Sequence, residues 1–312
     1  MIRALHPQSA LAAFLLLAGT LPLAQSAPLD LQDGDRVVFV GGTFVERMQQ
    51  FGYLETLLTV AHPDKHITFR NLGWSGDTVW GESRALFGTQ ADGFARLIKD
   101  VKEAKPTVLA ICYGANEAHA GVAGQQRFID GLNQLLNQLA DTKARVVLLS
   151  PYAYRPGPPG APSPEAYNSV LKSYCDAISK VAVKRNAQYV SLFDLLIVVE
   201  ENVRRNERPV TENGIHFTQS GKRLAAFEIA KRLGVDVPEL DFGKANEHLT
   251  KLRAAIHLKN ELYFYRYRPQ NETYLFLFRK HEQGNNAVEI PQFDPLVEEQ
   301  EKVIAKLKTL RR

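Results

Sequence analysis

Four short segments of this 312-residue chain hold the residues whose chemistry is readable first: Phe39 to Glu46, Arg70 to Thr78, Tyr113 to Glu117 and Thr211 to Thr218. In the first, Thr43 follows a glycine pair and offers a hydroxyl; in the last, His216 offers an imidazole able to take a proton near neutral pH. A hydroxyl nucleophile and a base are two of the three requirements of acyl transfer, the third being donors aimed at the oxygen that becomes negative. Gly73 can present a backbone N–H at close range because it has no side chain. The Asn116 amide can donate from the opposite side, and the Thr43 N–H would complete the hole. Each residue also has a plainer reading. Threonine is a good helix cap, glycine and asparagine suit turns, and a lone histidine before a helix is often packed core. Their joint occurrence favours a site.

Such a site needs a scaffold that brings distant segments together. Apolar runs at Val37 to Val40, Ile67 to Asn71, Val108 to Tyr113, Val146 to Ser150 and Tyr189 to Phe193 read as buried strands. Between and after them, helical periodicity runs over Val45 to Ala61, Arg84 to Glu103, Gln125 to Ala140, Pro164 to Arg185 and Thr218 to Leu233. Strands apolar on both faces and joined by helices predict a parallel sheet covered on both sides, a three-layer α/β/α sandwich with its ligand site at the carboxyl ends of the strands. The Pro/Gly-rich stretch Pro151 to Pro164 then rims that site. After Val237 the alternation stops. Residues 238–312 read as a helical extension, with helices at Lys244 to Leu262 and Pro295 to Leu307, packed on a main domain of residues 27–237. The tract Tyr263 to Pro291 between them is dense in aromatics, arginines and amides, suiting either a glycan- or anion-binding lid or, more simply, packing.

The four segments, in this order, resemble the sequence blocks of the SGNH (GDSL-like) hydrolase superfamily. Phe39-Val40-Gly41-Gly42-Thr43-Phe44-Val45-Glu46 is similar to the Gly-Asp-Ser block, with Gly42 at the aspartate and Thr43 at the serine. Arg70-Asn71-Leu72-Gly73-Trp74-Ser75-Gly76-Asp77-Thr78 is similar to the glycine block, Tyr113-Gly114-Ala115-Asn116-Glu117 to the Gly-x-Asn-Asp/Glu block, and Asn213-Gly214-Ile215-His216 to the Asp-x-x-His block. The resemblance covers Asp35 to Leu233. It implies a flavodoxin-like five-stranded sheet and ester hydrolysis with Thr43 as nucleophile, His216 as base, Asn213 at the orienting position, and Gly73 and Asn116 as oxyanion donors. Two residues depart from the pattern: Thr43 is a secondary hydroxyl with restricted χ1, and Asn213 is a neutral amide where an aspartate would orient the imidazole. In a Ser-His-Asp triad the Asp-to-Asn change costs on the order of 10⁴ in rate, because the amide favours the wrong tautomer. Glu212 lies one residue out of register. Ser75, Asp77, Trp80 and Glu117 are candidate substrate contacts, Ser75 otherwise being structural or a substitute nucleophile, and Trp80 either stacking on a sugar ring or buried at a helix start.

The expectation is an ester hydrolase acting on a small acyl ester or an acetylated glycan; the alternative is a catalytically degenerate binding or interaction protein on the same fold. Arg3, the apolar run from Ala10 to Leu23 and small residues at Ala24 and Ser26 read as a signal peptide of residues 1–26, placing the mature chain in the periplasm or outside the cell, with no further membrane segment. Cys112 and Cys175 fall in regular elements and read as buried free thiols, a disulfide between them being the alternative in an oxidising compartment. A net charge of +4 is too small to imply nucleic acid. No cofactor is expected: the glycine pair lacks the lysine of a phosphate loop, and His62 and His66 or His248 and His257 lack metal-ligand spacing.

Overall fold

The computed structural model describes residues 28–202, 209–237, 240, 242, 246–283 and 285–309. The expected signal peptide of residues 1–26 and Lys244 of the expected helix lie outside them. Five strands, β1 (Arg36–Gly41), β2 (Thr68–Asn71), β3 (Val108–Cys112), β4 (Arg145–Leu149) and β5 (Gln188–Val190), form one parallel sheet in the order β2-β1-β3-β4-β5.

Successive side chains of a strand point to opposite faces, and here both faces are apolar. Val37 and Phe39 enter a cluster with residues of α1 (Thr43–Met48), α2 (Tyr53–Val60), α6 (Leu195–Glu201) and α7 (Gln219–Arg232). Val38 and Val40 enter the opposite one with α3 (Gln90–Glu103), α4 (Gln125–Gln138) and α5 (Glu165–Arg185). The result is the expected three-layer sandwich. Its strand order reverses between β1 and β3, so a crevice opens at their carboxyl ends, where Thr43 and Asn116 follow.

Several boundaries differ from the periodicity. The helix expected over Val45 to Ala61 is two, separated by a turn in which Phe51 and Gly52 take φ of 68° and 64°. Ile256 of the extension presses on that turn, and a Cβ on Gly52 would lie 2.8 Å from its Cγ2. The helix expected from Arg84 begins at Gln90, where Thr89 and Asp92 form a capping box. The last strand ends at Val190, and α6 follows where none was expected.

The extension carries α8 (Glu247–Tyr267), α9 (Glu272–Phe276) and α10 (Phe293–Leu307). Leu249, Leu252, Ala255 and Ile256 of α8 pack with Val60 of α2 and Ile304 of α10. Fully buried Lys259 donates to Glu55 Oε1 (2.6 Å) and to the Phe69 carbonyl (3.1 Å), and Asn260 donates to Glu55 Oε2 (3.0 Å). Burial raises the Glu55 pKa against the pull of Lys259. A buried ion pair with its remaining oxygen satisfied fixes the extension in one position, and loss of either partner would strand a charge. Among the described residues no helix is long and apolar enough to cross a membrane.

Candidate active site

A cleft of about 280 Å³ opens at the β1/β3 crevice, lined by Gly42, Thr43, Asp77, Asn116, Glu117 and His216 among others. Thr43 is the first residue of α1; Gly42 is the N-cap and no side chain caps this helix. The Thr43 hydroxyl is therefore not a helix cap. It accepts the backbone N–H of Gly76 at 3.2 Å. Gly76 takes φ of 78°, a left-handed conformation that glycine adopts without strain. Asn116 follows β3 and donates one amide N–H to the Asp77 carbonyl (2.7 Å), leaving the second uncommitted among the described residues.

The residues behind this wall are bound to one another. Glu117 accepts the N–H groups of Val79 and Gly114, each at 2.8 Å, tying the glycine block to the turn after β3. Desolvation pushes its carboxyl up to about 7, while the backbone donors oppose the shift. Asp77 accepts from the Arg84 Nε (2.7 Å) and the Tyr113 hydroxyl (2.8 Å) in a fully buried cluster. Both Glu117 oxygens and Asp77 Oδ2 are thus engaged in holding backbone and neighbours, while Asp77 Oδ1 is buried without a hydrogen-bond partner among the described residues.

The glycine block corrects one expectation. The N–H of Gly73 donates to Asn71 Oδ1 at 2.8 Å, so it is not available as an oxyanion donor. Gly73 is glycine for a different reason: a Cβ there would lie 2.2 Å from the Glu46 nitrogen of α1. The N–H that faces the Thr43 hydroxyl belongs to Gly76, three residues later. Its signal in the sequence was the Ser-Gly-Asp-Thr run, in which a second glycine offers the same freedom of approach. Ser75 is structural, its hydroxyl and N–H donating to Glu46 at 2.6 and 2.8 Å. Trp80 packs on α4, beside Gly131 and under the Arg127 guanidinium (4.4 Å), and does not line the cleft.

His216 occupies the facing wall, on the loop before α7. Asn213 Oδ1 accepts the backbone N–H groups of Ile215 (3.1 Å) and His216 (2.9 Å), so this amide shapes the turn. Among the described residues no hydrogen bond joins the imidazole to Asn213 or to the Thr43 hydroxyl. Desolvation and the Arg47 and Lys222 charges lower the His216 pKa, opposed by Glu212, so the ring is held towards its neutral, proton-accepting form. Pro151, Tyr152 and Tyr154 of the Pro/Gly-rich loop line the cleft as expected, and Tyr154 stacks on Tyr167 of α5 at 4.7 Å. Cys112 and Cys175 are both free and buried.

The extension reaches the back of the Thr43 wall. The Tyr267 hydroxyl donates to the Gly73 carbonyl (2.6 Å), and Arg268 pairs with Glu46 while lying over the Trp74 ring at 4.1 Å. Sequence reading had no signal for this, because Glu46 and Arg268 are 222 residues apart.

Comparison with known proteins agrees with this fold. The GDSL-like Lipase/Acylhydrolase family profile matches residues 45–224, more than half of the chain and beginning just after Thr43. No curated protein matches. Among solved structures, a catalytic mutant of Axe2, an acetylxylan esterase from Geobacillus stearothermophilus, superposes with a TM-score of 0.51 at 17% identity, covering 67% of this chain and 99% of that one. LAE5, an alpha/beta hydrolase from the metagenome of Lake Arreo, gives 0.51 at 18%, covering 66% and 97%. BT4096, a gut microbial diltiazem-metabolizing enzyme, gives 0.51 at 15%, covering 67% and 49%. Identities this low speak for the fold alone, but the profile spans all but the first of the blocks on which the cleft is built, and the chain belongs to the GDSL-like lipase/acylhydrolase family of hydrolases.

Proposed function

We propose that the chain is a secreted ester hydrolase that removes small acyl groups, acetyl groups of a glycan in particular, with Thr43 as nucleophile, His216 as base, and the Gly76 and Asn116 N–H groups as oxyanion donors. The observation that carries it is the Gly76 N–H held on the Thr43 hydroxyl in a cleft that His216 and Asn116 also line. In the reaction His216 takes the Thr43 proton as the hydroxyl oxygen bonds to the ester carbon. The carbonyl oxygen becomes negative against the donors, and the proton passes to the departing alkoxide. Water then attacks the acyl-threonine by the same base, releasing the acid. The imidazole must come within hydrogen-bond reach of the hydroxyl, as catalytic contacts do when they tighten around a substrate.

The acetyl-glycan assignment is supported by the acetylxylan esterase among the similar folds and by the aromatic Tyr152 and Tyr154 in the cleft. Secretion rests on the N-terminal pattern, and mass spectrometry of exported protein should find the mature chain beginning at Ala27; an intact Met1 chain in the cytoplasm refutes it.

A second reading, a glycan-binding protein on a degenerate hydrolase fold, is favoured by the commitment of Asn213 to its own backbone. Turnover of a chromogenic acetyl ester by the purified mature protein separates the two. The enzyme reading expects activity that Thr43→Val and His216→Ala each cut by about 10²-fold or more, with circular dichroism unchanged. An inactive parent, or a Thr43→Val variant as active as the parent, leaves the binding reading.

A further inference from the structure

His216 stands between two cavities, and the second is unlike the cleft. Its walls are apolar, Phe44, Leu54, Phe217, Ala226 and Ile229 among them, yet two cations line it, Arg47 of α1 and Lys222 of α7. Both are half-buried. Lys222 donates to Gln50 Oε1 and lies 5.2 Å from the Phe51 ring. Among the described residues the Arg47 side chain has no hydrogen bond, ion pair or aromatic face. The acid next to it in sequence, Glu46, is taken by Arg268 and Ser75. Glu212 is exposed; its charge reaches His216 and Lys222, but it forms no ion pair with either cation among the described residues.

Five guanidinium donors without a partner, beside a second cation and against a low-dielectric wall, form a field that a planar anion satisfies. The side chains belong to two different elements, α1 and α7, and line the same cavity as His216. A neutral substrate would leave them uncompensated, whereas a carboxylate would take the guanidinium fork through two parallel hydrogen bonds.

We propose that Arg47 and Lys222 form a subsite for a carboxylate carried by the substrate, so that the preferred substrates are acyl esters of acidic sugars. The assignment of a substrate class rests on the ester-hydrolase reading above; the binding site does not. Docking there also brings a negative charge to the neighbourhood of His216, where Asn213 supplies none. The substrate thereby offsets the two cations that add to the effect of burial on the imidazole, and stabilises the imidazolium that forms on proton transfer.

The test uses glucuronate as probe, glucose as the neutral control and inorganic phosphate as the second anion, with binding to the mature chain followed at low salt by calorimetry and by the His216 ring resonances. Glucuronate should bind and raise the His216 pKa, glucose should not bind, and Arg47→Gln combined with Lys222→Gln should weaken glucuronate by about tenfold or more at an unchanged melting temperature. Equal binding by parent and double variant, or no binding in the millimolar range, overturns the subsite. Phosphate bound more tightly than glucuronate overturns the carboxylate assignment. If the double variant does not fold, Arg47→Lys replaces it: a loss of glucuronate binding supports the fork, and unchanged binding refutes it. With acetylated glucuronate and acetylated glucose as substrates, the parent should release acetate faster from the first, and the double variant should remove that preference; a preference of unchanged ratio in the double variant overturns the subsite. A parent that releases acetate from neither fails the hydrolase reading and leaves the binding result to stand or fall by itself.

Discussion

On the wall of the cleft that carries Thr43, backbone groups are gripped by side chains from other elements. Glu117 holds Val79 and Gly114, Asn116 holds Asp77, Ser75 is tied to Glu46, and Glu46 is tied to Arg268. The wall that carries His216 is held mostly from within its own loop: Asn213 Oδ1 accepts from Ile215 and His216, the Glu212 N–H donates to the His216 carbonyl, and contacts from outside come from the Arg155 N–H and the Tyr152 hydroxyl to the loop's carbonyls. No side-chain bond fixes the imidazole among the described residues. Preorganised donors are the part of such a site that must not move, since their value lies in being aimed before the charge develops. The base is adjustable, and here its surroundings act on it through charge more than through contact.

The comparison is broken most directly at Asn116. Asn116→Ala removes an oxyanion donor and the bond to the Asp77 carbonyl together, and kcat for an acetyl ester should fall by about 10²–10³ with little change in KM. A fall shared equally by KM would mean that Asn116 holds ground-state substrate, and the rigid wall would then be a binding surface. Steady-state kinetics reads the split.

Arg268 tests whether the extension contributes to that rigidity. Its guanidinium pairs with Glu46, whose carboxylate also carries the Ser75 hydroxyl and N–H, one residue before the Gly76 donor. Arg268→Ala should lower kcat by about tenfold through displacement of that donor. Because both partners keep some solvent exposure, the stability cost should be modest, on the order of 1 kcal/mol, read as a small drop in melting temperature. Arg268→Lys, which keeps the charge and loses the planar contact with Trp74, should recover part of the rate. Unchanged kcat in Arg268→Ala would make the extension a bystander to the site.

What the sequence made legible follows from how local each signal is. The strands were readable because Val37 to Val40 and Val108 to Cys112 are apolar at every position, as a sheet covered on both faces demands. The start of α7 was readable because Thr218 caps it through the Gly221 N–H, a contact three residues long. The choice between Gly73 and Gly76 was not, because it depends on Asn71 folding back to take the Gly73 N–H and on the approach of Glu46 to that same glycine. The break between α1 and α2 was hidden for the same reason: Ile256 comes from far along the chain.

The smallest effects belong to the histidine wall. A base works as the neutral imidazole, and a lowered pKa keeps it neutral to lower pH; the acid limb of kcat/KM should therefore fall below the ordinary histidine value of 6.5. Asn213→Asp would add a negative charge that favours the imidazolium, so the limb should move upwards by up to about one unit, equivalent to about 1.4 kcal/mol. The accompanying rate gain should be about tenfold and far short of the ~10⁴ that an orienting carboxylate is worth in a well-formed triad. The reason is positional: the residue 213 oxygen already holds two backbone N–H groups, and a carboxylate in its place would keep them before it reached the ring. A gain approaching 10⁴ would mean that the loop rearranges to present the carboxylate to the imidazole, and the histidine wall would then be as ordered as the threonine wall once its missing charge is supplied.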